Sequence, residues 1–263
     1  MHHRSCPKVS VVTITLNNRE GLRSTMASVF AQTYPALEYI IVDGQSTDGS
    51  VALIESQAQR IARWVSEPDN GIYDALNKGI ALSQGEWIIF MNAGDVFFDA
   101  STLRTVFANP IAPGAVFLYG HHHTRYPDHI MPRTAGALRD FWRGPPFSHQ
   151  ALLVRSAFQK AHRYNVRNRI AADFELLFGA FQRGYGFQAI DTPIAIVAAG
   201  GVSDRDRLQS IWSHYGVVRT FDASTRVHAY YLGAALACLL KQGIAAVLPR
   251  SWTDRIRRHR HLS

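Results

Sequence analysis

Three short apolar runs constrain this chain more than any other feature: VSVVTITL from Val9, LEYIIVDG from Leu37 and EWIIFM from Glu86. Each is too short for an ordinary helix. Each is also too uniformly apolar for a strand with one wet face, so each reads as a strand buried on both faces. Helical stretches fall between them, at 19–32, 50–63 and 73–83, the first ending before Tyr34-Pro35 and the last closed by Gly85. Trp64–Glu67 adds a short strand, and the run from Glu86 is read as strand to its polar end at Asp95. Strand–helix alternation of this kind predicts an α/β fold with a mostly parallel sheet covered by helices on both sides. Ligands of such sheets bind beyond the carboxyl ends of the strands. Asn17, Asp43 and Asp95 fall there.

The second half is less regular. AVFLYG reads as a strand, RNRIAADFELLFGAFQRGY contains a helix, and FQAIDTPIAIVA reads as one or two strands. His121–His123 cannot all point one way in a strand and reads mainly as surface. From Val227 to Leu248 the chain is apolar but carries Lys241 and Gln242, which predicts a buried or interfacial helix pair rather than a membrane span. At 47% hydrophobic and 18% charged residues the composition is globular, and 263 residues allow one large domain with an extension. The net charge of +8 is concentrated in the tail, and no stacking-aromatic module is evident, so nucleic acid is not expected as a partner. Cys6 and Cys238 sit far apart with no CxxC, which favours a reducing compartment. The start, with His2 and His3, lacks the apolar core of a signal peptide and reads as a floppy terminus; a cytoplasmic location is expected.

The polar strand ends carry the candidate chemistry. Asp43 suits hydrogen bonds from a nucleobase N–H or a ribose hydroxyl; equally, its turn and Asp48 suit helix capping. Thr15 and Asn17 share that ambiguity. Asn92 and Asp95 offer hard oxygen to a divalent ion also held by phosphates, or make a polar turn. Asp74, Asn77 and Lys78 occupy adjoining positions near a helix N-terminus, a physical fit for phosphate and also for a solvated helix face. Neither GxGxxG nor a Gly- and Arg-rich phosphate loop follows the first strand, against a dehydrogenase or a nucleotidyltransferase.

In order and spacing, VSVVTITLNN, IIVDGQSTDGS and EPDNGIYDALNKGIALSQGEWIIFMNAGD resemble the nucleotide-binding half of family 2 inverting glycosyltransferases, enzymes of the GT-A fold. GIYDALNKG, the NAGD ending, His149-Gln150, AADFEL and the GGVS from Gly200 are most similar to the colanic-acid-type exopolysaccharide enzymes. The resemblance implies a GT-A domain over 1–225, with a nucleotide-sugar half at about 9–100 and an acceptor half at about 101–225, then an apolar helical extension and basic tail over 226–263. It implies that Thr15, Asn17 and Asp43 surround the nucleoside, and that Asp74, Asn77, Lys78, Asn92 and Asp95 belong to the donor side. Mg²⁺ or Mn²⁺ is implied at Asp95, the surviving member of an aspartate motif whose first and middle places hold Asn92 and Gly94. Asp173, in the place of the general base, is implied to be catalytic, with Glu175 as a second candidate. By their own chemistry His149 and Gln150, after the stiff PPFS loop, suit contact with the acceptor or diphosphate or, for the histidine, a structural role, and the glycines of 200–207 suit a flap over the donor. The implied reaction is non-processive, inverting transfer from a nucleotide-diphosphate sugar to a hydroxyl of a lipid-linked glycan in exopolysaccharide or cell-envelope synthesis; the alternative is an inactive sugar-nucleotide-binding protein. The apolar stretch and tail suggest peripheral docking on an anionic membrane surface at the inner face of the cell membrane, against packing on the domain.

Overall fold

The computed structural model describes residues 6–200 and 206–247. Its centre is β1 (Val9–Thr15), buried along all 7 residues. β1 pairs in parallel with β2 (Leu37–Asp43) on one side and β4 (Trp87–Phe90) on the other, and β3 (Arg63–Ser66) extends the parallel half beyond β2. On the far side of β4 the directions alternate. β8 (Leu152–Arg155) is antiparallel to β4 and to β6 (Ala115–Arg125), β9 (Gly186–Ala198) is parallel to β6, and β5 (Val96–Phe97) closes that edge antiparallel to β9. β7 (Ile130–Arg133) pairs with the outer end of β6.

Both faces of the parallel half are covered, as the unbroken apolar runs require. Val9, Val11, Tyr39, Ile41, Trp87 and Ile89 point to one face, against Leu22, Met26 and Val29 of α1 (Arg19–Phe30). The alternate residues Val12, Ile14, Ile40, Val42, Ile88 and Phe90 point to the other, against Tyr73, Leu76 and Ile80 of α3 (Ile72–Leu82). The two-residue period of a strand sends neighbours to opposite layers. At the amino ends of the strands, buried Glu38 takes ion pairs from Lys8 at 3.1 Å and from Arg63, and a hydrogen bond from Gln84 N at 3.1 Å. A buried carboxylate persists when it is paired in this way.

Several expectations are corrected. The helix read over 50–63 stops at α2 (Ser50–Ser56), followed by a single 3₁₀ turn at Ala58–Arg60. The chain must be extended again by Arg63, where it pairs with Ile40. β4 ends at Phe90, and 91–95 form a turn rather than the end of a strand. The strand read as AVFLYG continues through all three histidines to Arg125, because β7 and β9 flank that end of β6. The triplet is therefore half-buried, not mainly surface. His121 meets Asp191 at 2.9 Å, burial pushes the His122 pKa down to about 4, and His123 packs edge-on against Phe98. β9 is one strand, and its Pro193 sits at a register irregularity, where a missing N–H is tolerated. After α4 (Thr102–Ala108) and α5 (Ser156–Ala161), α6 (Ala172–Gln182) completes this first unit, which ends at Gly201.

The second unit contains α7 (Arg207–Val218) and α8 (Thr225–Val247). The pair of helices read over 227–248 is one continuous helix, with no proline between Val227 and Val247 and its two glycines accommodated. α8 turns Val227, Tyr231, Ala235 and Cys238 inward, and the Tyr231 ring lies 5.5 Å from Tyr215 of α7. His2, His3, most of the GGVS flap and the arginines of the tail lie outside the described residues.

α3 lies close on β1 because residue 79 has no side chain: a Cβ there would sit 2.3 Å from Val12 Cγ1. Alanine favours a helix over glycine by about 1 kcal/mol, but forcing a methyl into a packed layer costs about 1–3 kcal/mol. Gly79→Ala should therefore destabilise the protein, read as a lower urea midpoint with an unchanged slope. A midpoint at or above that of the parent would show that the layer yields freely.

Candidate active site

The carboxyl edge of the parallel half brings Thr15 and Asp43 side by side, in register on β1 and β2. Asp43 is fully buried. Its Oδ2 accepts from Ser46 N at 2.9 Å and Ser66 Oγ at 2.7 Å, while its Oδ1 is buried with no partner. Thr15 Oγ1 and Asn92 Oδ1, from the same edge, are also buried and unpartnered. Unpaired polar atoms in a protein interior are costly, and such a group of them marks a place where a polar ligand completes the bonding. Asn17 has a different task. It sits exposed at φ 48, its Oδ1 accepts from Thr47 N at 2.8 Å, and its own N–H donates to Ser46 Oγ at 2.8 Å. It ties the end of β1 to the turn after Asp43.

The 91–95 turn is fastened from three sides. Asn18 caps α1 by accepting from Gly21 N and donates to Ala93 O at 2.9 Å. The Thr25 hydroxyl accepts from Gly94 N at 2.9 Å and donates to Asp95 O at 2.7 Å. The Arg125 guanidinium donates to Gly94 O. Gly94 has φ +106, a conformation that favours glycine, so the middle place of the motif is set by the backbone. Asp95 is buried, with Ala198 N donating to Oδ1 at 3.0 Å. Burial pushes its pKa up to about 6, against the opposing pull of Ala198 N, Arg125 and Gln150. Neither Arg125 nor Asn18 is singled out by the sequence. Asn18 carries the N-cap signal just before a helix, whereas a lone Arg after three histidines carries none.

The helix residues expected on the donor side are already engaged. The amide of Asn77 donates to Tyr164 O and accepts from Tyr164 N, both at 2.9 Å. Lys78 Nζ lies 2.7 Å from Pro68 O, 2.7 Å from Asp69 and 3.0 Å from Glu67, and 3.8 Å from Asp74. Burial works against the ammonium, but Asp69 and Glu67 outweigh it and raise its pKa. Asp74 also accepts from Asn70 N at 3.0 Å, so these residues shape the loop before α3.

Asp173 stands in the first turn of α6, and the Tyr73 hydroxyl donates to its Oδ1 at 2.8 Å. Burial, then the charge of Asp173, raises the Tyr73 pKa, so this hydroxyl stays a donor. The Tyr73 ring lies 5.6 Å from Tyr164, whose hydroxyl is 2.7 Å from His149 Nε2, and His149 stacks on Phe90 at 4.9 Å. Burial lowers the His149 pKa, partly opposed by Asp173, which favours neutral imidazole. Gln150, the next residue in the same 3₁₀ turn His149–Ala151, accepts from Ser148 Oγ at 2.7 Å and pulls the Asp95 pKa down. Glu175, the second base candidate, accepts from Asn165 at 3.2 Å and Asn168 at 2.8 Å and anchors the loop before α6.

Among the described residues, no three His, Cys, Asp or Glu side chains converge as a metal cage. The edge does offer oxygen: the Asp95 carboxylate and the unpartnered Asn92 Oδ1 of one turn. Two protein oxygens fit a hard cation whose remaining ligands are phosphate and water.

Residues 10–162 match the family described as Glycosyl transferase family 2. The chain belongs to this family. A glycosyltransferase of Mycobacterium tuberculosis described as uncharacterized is 35% identical over 182 residues, covering 67% of this chain and 70% of the relative. A PGL/p-HBAD biosynthesis glycosyltransferase of Mycobacterium bovis is 29% identical over 194 residues, covering 67% and 71%. Among solved structures, a mannosyltransferase from Pyrobaculum calidifontis in complex with GDP-Man and Mn²⁺ superposes with a TM-score of 0.65 at 18% identity, over 98% of this chain and 81% of that one. The fold is GT-A, and the protein is a glycosyltransferase.

The raised pKa of Asp95 makes a signed prediction. The folded state holds this proton up to about pH 6, whereas the ordinary value is 3.8, so ionisation of Asp95 opposes folding increasingly as pH rises across that window. With chelator present and no donor, Asp95→Asn should raise the Tm of this glycosyltransferase above pH 6, and the gain should vanish near pH 4. An equal gain at both pH values would remove the charge of Asp95 as its cause.

Proposed function

We propose that this glycosyltransferase moves one sugar from a nucleotide-diphosphate donor to a hydroxyl of a glycan acceptor, with inversion. The observation that carries the reading is the group of buried polar atoms without partners, Thr15 Oγ1, Asp43 Oδ1 and Asn92 Oδ1, at the carboxyl edge of the parallel strands. In this reading Thr15 Oγ1 and Asp43 Oδ1 take the nucleoside, and Asp43 accepts from a base N–H or ribose hydroxyl. Asn92 and Asp95 face the diphosphate and would hold Mg²⁺ or Mn²⁺, which would offset negative charge on the leaving group. Tyr73 fixes Asp173 through Oδ1 and leaves Oδ2 for the acceptor. Asp173 then takes the acceptor proton as that oxygen bonds to the anomeric carbon from the face opposite the diphosphate. The bond from the anomeric carbon to the diphosphate oxygen breaks, and its electron pair leaves with the nucleotide. Asn17, Asn77, Lys78 and Asp74 act through the loops they hold. The resemblance of NAGD and AADFEL to the exopolysaccharide enzymes, and the relative named for PGL/p-HBAD biosynthesis, support an acceptor of the exopolysaccharide or cell-envelope kind, lipid-linked and met at the inner face of the cell membrane, with one sugar added per acceptor.

Calorimetry with UDP- and GDP-sugars, with and without Mg²⁺ or Mn²⁺, identifies the donor. With that donor, Asp173→Asn should keep its affinity and lose about 100-fold or more in turnover. Tyr73→Phe should lose about 10-fold in kcat with donor affinity unchanged, and should add little in the Asp173→Asn background, since the two act as one unit. Near-normal turnover of Asp173→Asn would remove it as the base. Full activity in chelator would move charge neutralisation from the ion to Arg125, because Lys78 is already held by three carboxylates.

A further inference from the structure

The outer face of α8 has the wrong chemistry for water. Leu232, Leu236, Leu239 and Leu240 are between 49% and 67% exposed. Their spacing of four, seven and eight residues puts them on one side of the helix. No charged residue occurs from Val227 to Leu240, so no polar stripe relieves this face. An ordinary surface helix carries charge opposite its buried face; here Val227, Tyr231, Ala235 and Cys238 form the buried face and leucines form the other. Charge stands at the ends instead, with Arg226 before the stretch and Lys241 after it, and the sequence beyond adds Arg250, Arg255, Arg257, Arg258 and Arg260 against one acid, Asp254. No described helix is long and apolar enough to cross a membrane.

We infer that the Leu232–Leu240 face of α8 is a docking surface for an anionic lipid bilayer, lying in the interface rather than spanning it. The leucines enter the acyl boundary, and Arg226 and Lys241 at the two ends of the face meet lipid phosphate. Apolar insertion and a basic cluster together give stable association where either alone is marginal. A second copy of the chain is the weaker occupant, since Arg226 and Lys241 make both ends of the face basic and pairing it with itself in either direction sets positive charge against positive charge. The inference deepens the lipid-linked reading of the acceptor, and its test needs no sugar transfer, so either can fail alone.

The test is flotation of the full chain with phosphatidylcholine vesicles, with and without phosphatidylglycerol, at physiological salt. The parent should float with the anionic vesicles and largely stay behind with the neutral ones. Leu236→Glu with Leu240→Glu should cut the bound fraction about 10-fold while circular dichroism keeps the helix signal. Leu236→Ser with Leu240→Ser, a milder change at the same exposed positions, should weaken binding in the same direction. A chain ending at Leu248 should bind more weakly and lose the preference for anionic vesicles. No flotation of the parent, or equal flotation of both leucine variants, overturns the inference. So does light scattering that shows a parent dimer and monomeric variants, which would assign the face to a second copy.

Discussion

The register between β1 and β2 is the constraint on which the rest of this molecule depends. A slip of one residue would turn Val12 and Ile14 toward α1 and bring Val9 and Val11 against α3, exchanging the two apolar layers. It would also separate Thr15 from Asp43. Burial on both faces makes such a slip costly, so the pairing that builds the core also fixes the ligand edge. Two of the atoms left without partners, Thr15 Oγ1 and Asp43 Oδ1, belong to the last pair of that register. Core packing thus sets that edge, and Asn17 and Ser66 then tie its loops in place.

The 91–95 turn shows how a degenerate motif can keep its shape. Asn92 and Gly94 stand where the family's pattern has acids, yet the turn is fixed by Asn18, Thr25 and Arg125 from three separate elements. Arg125 brings positive charge to the turn, which makes a single buried carboxylate tolerable.

How much of this was legible in the sequence depends on the range of the interaction. β1, β2 and β4 could be read because burial on both faces leaves an unbroken apolar run, and α3 because its apolar residues recur at helical spacing. The end of β6 could not, since Gly-His-His-His-Thr-Arg carries no strand signal and is extended only by the strands on either side. α2 was read too long because helix propensity continues past Ser56, while pairing of Arg63 with Ile40 does not permit it. At the site, Asp43, Asp95 and Asp173 follow from position and motif. Their partners do not: Tyr73 and Asp173 are 100 residues apart, and Arg125 and Gly94 are 31 apart. Asn77 and Lys78 have side chains suited to phosphate, and local pattern gives no sign that Tyr164 and the loop before α3 already engage them.

The grip of Asn77 on the Tyr164 backbone has a consequence for how enzymes of this kind diversify. Helix α3 belongs by motif to the first hundred residues, yet through Asn77 and Tyr73 it holds the loop and helix that carry Asp173. A recombinant that joined the first half of this chain to the second half of a relative at residue 100 would retain two plausible halves and lose the clasp between them, unless the incoming loop offered a backbone at the same height. Evolution by exchange of whole halves is therefore disfavoured here, and new specificities would be expected to arise by substitution within loops whose anchors stay in place.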